Sequence, residues 1–185
     1  KVVDSEGKAP KYEFYLPSDA SAHPAGGVFL KSKTLLESIG AEVEIKVDAN
    51  LIANIKKGPV GVYALAWNAA ADPDMYQVYH YKSQAESVVS NGIQWLQANG
   101  GDDALGTVEI TKLDGTKQVV NQKQALEYLA FLIEEGVKYM LPEERKPIYT
   151  SALEILAQLA IEVPTYQRKN LFVYNNTIID QTTVS

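Results

Sequence analysis

Apolar and polar positions along the first third of the chain predict the order strand, helix, strand, helix, strand. Residues 11–16, Lys-Tyr-Glu-Phe-Tyr-Leu, read as a short strand stopped by Pro17. After a polar loop over 18–22, Pro24 suits the first turn of a helix carrying Val28, Leu35, Leu36 and Ile39, and Gly40 caps its end. From Ala41 to Asp48 the chain alternates, with Val43, Ile45 and Val47 opposite Glu42, Glu44 and Lys46, as a half-buried strand does. Asp48 or Asn50 then caps a second helix with Leu51, Ile52 and Ile55, ended by Gly58-Pro59. The run over 60–67, with Val60, Val62, Tyr63 and Leu65, is expected as a central strand covered on both faces.

The rhythm changes in the second half. A helix over 87–98, interrupted near Asn91-Gly92, carries Val88, Val89, Ile93, Trp95 and Leu96. Residues 107–113 and 116–120, joined by Asp114-Gly115, predict a β-hairpin with a type I′ turn, inserted at the surface. Asn121 caps a helix with Leu126, Leu129, Leu132, Ile133 and Val137. Pro142-Glu143-Glu144 opens another with Ile148, Leu153, Leu156, Leu159 and Ile161, its acids complementing the helix dipole. Strand-like stretches over 162–166 and 171–174 close the chain. The pattern implies an α/β fold: an open, mostly parallel sheet flanked by helices, with a small hairpin insertion. Residues 1–10 read as a linker and 11–185 as one domain.

Composition narrows the function. The chain has 185 residues, of which 46% are hydrophobic and 22% charged, ordinary values for a globular domain. Its net charge of −6, with no dense Lys/Arg stripe, argues against a nucleic-acid partner. It contains no cysteine, which excludes disulfides, thiolate nucleophiles and Cys-ligated metals. No apolar run approaches the roughly 20 residues that span a bilayer.

Searches for catalytic patterns return nothing. His23 and His80 stand outside any metal-ligand spacing and read as plain surface or pocket-wall residues. No serine sits in a GxSxG turn. Gly26-Gly27 falls inside a helical pattern and lacks the Lys-Ser/Thr of a phosphate loop. Glu134-Glu135 and Glu143-Glu144 read as a solvated face and a charged helix start. The chain is therefore expected to be no enzyme and to need no cofactor or metal.

One segment stands out. In an open parallel sheet, ligands sit outside the carboxyl ends of the strands. Here the third strand delivers Trp67 and Asn68 at that end, followed by Ala69, Ala70 and Ala71 and then Asp72-Pro73-Asp74 with Met75, Tyr76, Tyr79 and His80. Trp, Asn, Asp and Tyr side chains so placed suit a mixed polar and apolar ligand wall. The same residues also fit a plainer reading, with Trp67 in the core, Asp72 capping a helix and the tyrosines packing the insertion.

That Ala-Trp strand end, the following Asp-Pro, the stretch Leu141-Pro142-Glu143-Glu144-Arg145-Lys146-Pro147-Ile148-Tyr149 and the closing Ala152 to Tyr166 carry a resemblance. Together they resemble the C-terminal part of the oligopeptide/dipeptide/nickel family of ABC-transporter solute-binding proteins, extracellular solute-binding protein family 5. The similarity runs from about Tyr12 to Tyr174 and covers the last third of a family member.

The resemblance implies one lobe of a periplasmic-binding-protein-like (type II) fold, closing with an N-terminal lobe on a ligand by hinge motion. It implies a monomeric importer component outside the cytoplasm, a cell-surface lipoprotein or periplasmic protein. Its partners would be a peptide or other small solute and the permease subunits of an ABC transporter. Contact with the membrane would run only through the parent's N-terminal anchor. Trp67, Asn68, Asp72, Asp74 and Arg168 are the expected ligand-binding residues. Peptide-binding members carry an Asp three residues after the strand-end Trp, and here Ala70 stands there, so that amine anchor is not carried over. The spacer to Asp-Pro is also one residue shorter, nearer to nickel-type members. Two other readings are a nickel-chelate or small-solute binder of this family, and a catalytic α/β domain whose site is shared with a further domain.

Overall fold

β1 (Lys11–Leu16) is the centre of a three-stranded sheet in the computed structural model, with β2 (Glu42–Val47) on one side and β3 (Val62–Tyr63) on the other. Both neighbours run parallel to it, in the registers Phe14↔Ile45 and Phe14↔Val62. The structure describes residues 1–3, 6–58, 60–65, 75–85, 88, 91–102, 105–165 and 178. The fold is mixed α/β, with this parallel sheet flanked by helices.

α1 (Gly26–Ile39) connects β1 to β2 and lies on the face formed by Phe14, Leu16 and Val43. Phe29 meets Phe14 edge-on, ring centroids 5.1 Å apart. The helix packs through Gly26, Phe29 and Leu36, so Val28, Leu35 and Ile39, expected as its inner stripe, are exposed. It starts two residues after Pro24 and ends at Gly40, whose φ of 109° is the expected left-handed cap.

The opposite face of the sheet is polar, as the alternation in β2 predicts. Lys11 stands beside Glu42, and Glu13 beside Glu44. That last pair would repel, and Lys46 resolves it by reaching both carboxylates, while the Tyr15 hydroxyl donates to Glu13.

The backbone N–H of Glu42 donates to the Pro10 carbonyl at 2.8 Å, on the β1 side. Strand alternation then turns the Val43 carbonyl outward at the edge that no described strand pairs, where the Lys33 ammonium donates to it. α2 (Leu51–Ile55) follows, its start organised by Asp48, whose carboxylate accepts from the Asn50 N–H and the Asn54 amide, both at 2.8 Å.

β3 departs from expectation. Among the described residues it is two residues long and lies at an edge, with Val62 44% exposed. The central place belongs to β1, because the crossover after β2 returns past it. Beyond β3 come α3 (Met75–Tyr79), α4 (Ile93–Asn99), a hairpin of β4 (Thr107–Thr111) and β5 (Lys117–Asn121), α5 (Gln122–Gly136) and α6 (Pro142–Leu159). The stretch 162–165 is not a strand, and the second predicted closing strand, 171–174, lies outside the described residues.

The hairpin is not a surface insertion. Val108, Ile110 and Val120 turn inward and share a core with Leu126, Leu129 and Leu132 of α5 and Ile148, Ala152 and Ile155 of α6. Its turn is not type I′ either, since that needs positive φ at both central residues and only Gly115, at 85°, has it. The Gly115 N–H donates to the Lys112 carbonyl and the Lys112 N–H to the Thr116 carbonyl, both at 2.8 Å. This is the longer loop in which glycine supplies the one left-handed residue before the strand resumes. β4's outer edge is closed by α6: the Ser151 hydroxyl donates to the Thr111 carbonyl at 2.6 Å, and Gln158 pairs with Glu109.

Asn121 caps α5 as expected, in a reciprocal capping box with Gln124. Val137 lies just past that helix and is exposed, and Leu153 points outward from α6. This core and the sheet's cluster of Phe14, Leu16, Ala25, Phe29 and Val43 share no residue. Ala64 packs on the sheet's cluster and Met75 on the larger core, so residues 66–74 carry the chain from one to the other.

Candidate functional site

The order β2-β1-β3 makes the gap between the carboxyl ends of β1 and β3 the point where the winding of the sheet reverses, the general position for ligands in such sheets. Two segments meet there: the β1–α1 loop, from Pro17 to Ala25, and the exit of β3 through Ala64 and Leu65. Ala20, Ala25 and Ala64 all pack on the sheet's cluster, which seats the loop and the exit on one base.

The loop is held by its own short-range bonds. The Asp19 carboxylate accepts from the Ser21 N–H at 2.8 Å and its hydroxyl at 2.5 Å. These two donors, the hydroxyl foremost, hold the Asp19 carboxyl below the usual aspartate range. The Asp19 carbonyl accepts from the Ala22 and His23 N–H groups, both at 3.0 Å. His23 Nδ1 accepts the Ala25 N–H at 3.1 Å and is half-buried. Gly26 follows with no room for a side chain, since a Cβ would stand 1.7 Å from the Ala20 carbonyl oxygen.

Trp67, Asn68, Asp72, Asp74 and Arg168, together with Ala70, lie outside the described residues. For those that follow β3, the chain is described on both sides, at Leu65 and from Met75 onward.

There the structure corrects the reading of His80. It is no surface or pocket-wall residue: it is 0% exposed, stacked on Tyr76 with centroids 4.2 Å apart and on Tyr81 at 5.2 Å. Nδ1 accepts the Lys82 N–H at 3.1 Å, so the ring proton sits on Nε2 and is donated to Glu134 Oε1 of α5 at 3.0 Å. Glu134, whose side chain is 54% exposed as its reading on a solvated face expects, accepts this bond at the surface, whereas Glu135 pairs with Lys138 at 2.5 Å. The Tyr79 hydroxyl donates to Glu162, and burial first, then that carboxylate, pushes its ionisation above the usual tyrosine range. The signal available in the sequence was a histidine set between aromatics, at Tyr79-His80-Tyr81.

An apolar cleft of ≈ 260 Å³ opens elsewhere, between α4 and the end of α6, lined by Asn91, Trp95, Leu96, Gln122, Leu159 and Ile161. Trp95, predicted as an apolar helix residue, is 51% exposed at its rim. Among the described residues that line it, none is ionisable.

Among the described residues no group of three His, Asp or Glu side chains is placed to hold a metal ion. No described helix is long and apolar enough to cross a membrane. A scan against protein-family models, a search of curated proteins and a search of solved structures each find no match to this chain.

Proposed function

We propose that this chain is the C-terminal lobe of a two-lobed solute-binding protein that captures oligopeptides outside the cytoplasm and delivers them to an ABC importer. The observation that carries the reading is the parallel order β2-β1-β3, in which the β1–α1 loop and the exit of β3 meet at the winding reversal. The residues that follow β3 in the sequence, outside the described residues, are those read as a ligand wall, Trp67 and Asn68 and, further on, Asp72 and Asp74. The sequence resemblance to the oligopeptide/dipeptide/nickel family supplies the importer role, the type II lobe and the permease partners.

In this reading Trp67 and Asn68 line the cleft and Asp72 and Asp74 offer the polar contacts that Ala70 does not, with Arg168 beside the hinge. A second member of the same class is favoured by one feature: Ala70 and the shortened spacer suit a solute without a free amine, such as a nickel chelate.

Mass spectrometry of solute co-purifying with the full-length protein tests the proposal. A ladder of short peptides supports it, a nickel chelate moves it to that branch, and the absence of both under native purification counts against transport. Trp67→Ala should weaken binding at least tenfold while the protein stays folded; unchanged affinity, or a collapsed fold, would return Trp67 to the core.

A further inference from the structure

We propose that Asn91-Gly92 is a self-modifying site, at which the Asn91 side chain of the folded protein converts to aspartate or isoaspartate through a cyclic imide. Asn-Gly stands at either end of α4, as Asn91-Gly92 before it and Asn99-Gly100 at its close. The reaction needs a glycine nitrogen free to attack the asparagine side chain, and no Cβ shields that nitrogen. The dipeptide alone makes the two places equal. The fold separates them.

At Gly100 the nucleophile is occupied. Its N–H donates to the Leu96 carbonyl at 2.7 Å, and its carbonyl accepts the Lys123 N–H at 2.9 Å. Gly100 is buried, and a Cβ there would stand 2.5 Å from the Leu96 carbonyl oxygen. The Asn99 amide donates to the Trp95 carbonyl at 2.9 Å. Gly92 differs at each point. Its N–H has no acceptor among the described residues, and nothing lies within 4 Å of where a Cβ would be. Asn91 is half-buried and lines the apolar cleft beside α4. Its Oδ1 accepts the Ile93 N–H at 3.2 Å, a donor that steadies the charge developing on that oxygen during attack. Its Nδ2 donates to the Val78 carbonyl at 3.4 Å, a long bond that holds the leaving group weakly.

In the reaction the Gly92 N–H yields its proton to water or hydroxide, and the nitrogen bonds to Asn91 Cγ. The Cγ–Nδ2 bond breaks, and Nδ2 leaves as ammonia. Water then opens the imide at one carbonyl or the other, giving aspartate or isoaspartate. No electrons are transferred, and water is the sole co-reactant. Either product adds a negative charge at the cleft and removes the N–H that Asn91 gives to the Val78 carbonyl of α3.

The test incubates the native protein, and the same protein unfolded in guanidinium chloride, in warm and mildly alkaline buffer. Mass spectrometry of chymotryptic peptides follows each asparagine, because cleavage at Trp95 separates the two. Native Asn91 should convert at least about tenfold faster than native Asn99, since the Gly100 N–H must first break its bond. In denaturant the two rates should agree within about twofold. Equal native rates would overturn the inference, as would a native Asn91 that stays intact while the unfolded chain converts. A difference that persists in denaturant would overturn it too, by assigning the preference to sequence rather than fold.

Discussion

One side-chain amide, that of Gln158, satisfies both backbone groups of Glu109: it accepts the Glu109 N–H at 2.9 Å and donates to the Glu109 carbonyl at 2.7 Å. The amide stands where a neighbouring strand would, closing the edge of β4 from α6. Gln158→Ala should cost about 1 kcal/mol, since each lost bond is at the solvent boundary and water replaces part of it. Gln158→Glu should cost more, because it sets a carboxylate against the Glu109 carbonyl. Urea denaturation of both variants checks the order; equal midpoints would show that the pairing adds nothing.

Gly136 ends α5 where Tyr149 of α6 crosses it. A Cβ there would lie 2.8 Å from two ring carbons of Tyr149, whose hydroxyl accepts from Arg145 at 3.0 Å. Replacing a helical glycine by alanine usually gains up to about 1 kcal/mol. Here overpacking reverses the sign, and Gly136→Ala should destabilise by about 1–3 kcal/mol. A thermal midpoint at or above that of the wild type would show that the ring yields freely.

Ala160 caps α6 at φ 50°, the one non-glycine residue with positive φ among those described. A side chain in that region costs about 1–2 kcal/mol. Ala160→Gly should therefore raise the thermal midpoint, with part of the gain offset by the greater freedom of glycine in the unfolded chain. A lowered midpoint would mean that the cap is not strained.

Asp114 gives the hairpin turn a pH dependence. The backbone N–H of Thr116 foremost, and its side chain next, hold the Asp114 carboxyl below its ordinary value of 3.8. A carboxyl depressed on folding stabilises the native state above its unfolded value, and the contribution is lost as pH falls through the folded value. The window thus opens near pH 3.8 and extends downward. An NMR titration of the Asp114 carboxyl should give a midpoint below 3.8, and Thr116→Val should raise it part of the way. A wild-type midpoint at or above 3.8 would refute the turn geometry.

Local chemistry explains which of these features were readable in the sequence. β1, β2, the Asn121 cap, the Pro142 start and the Gly40 stop all follow from residues acting on near neighbours, and each appears where the pattern puts it. The failures concern partners distant in the chain. Among the described residues Val62 lies at an edge because β1 takes the centre, and no property of residues 60–67 encodes that choice. The hairpin's alternation shows that one face is buried, but not that α5 and α6 supply the cover. His80 was legible as a histidine among tyrosines, while its acceptor, Glu134, comes from a helix that only folding brings near.

Lys33, at the rim of the sheet, also bears on how copies of this protein treat one another. A six-residue parallel strand such as β2, unpaired on its outer side among the described residues, invites another chain to add itself to the sheet, the first step toward fibres. By occupying the outward Val43 carbonyl with an ammonium group, the molecule makes any newcomer displace a charge before it can pair. Crowded solutions should therefore tolerate the native chain better than one in which that lysine has been shortened to alanine.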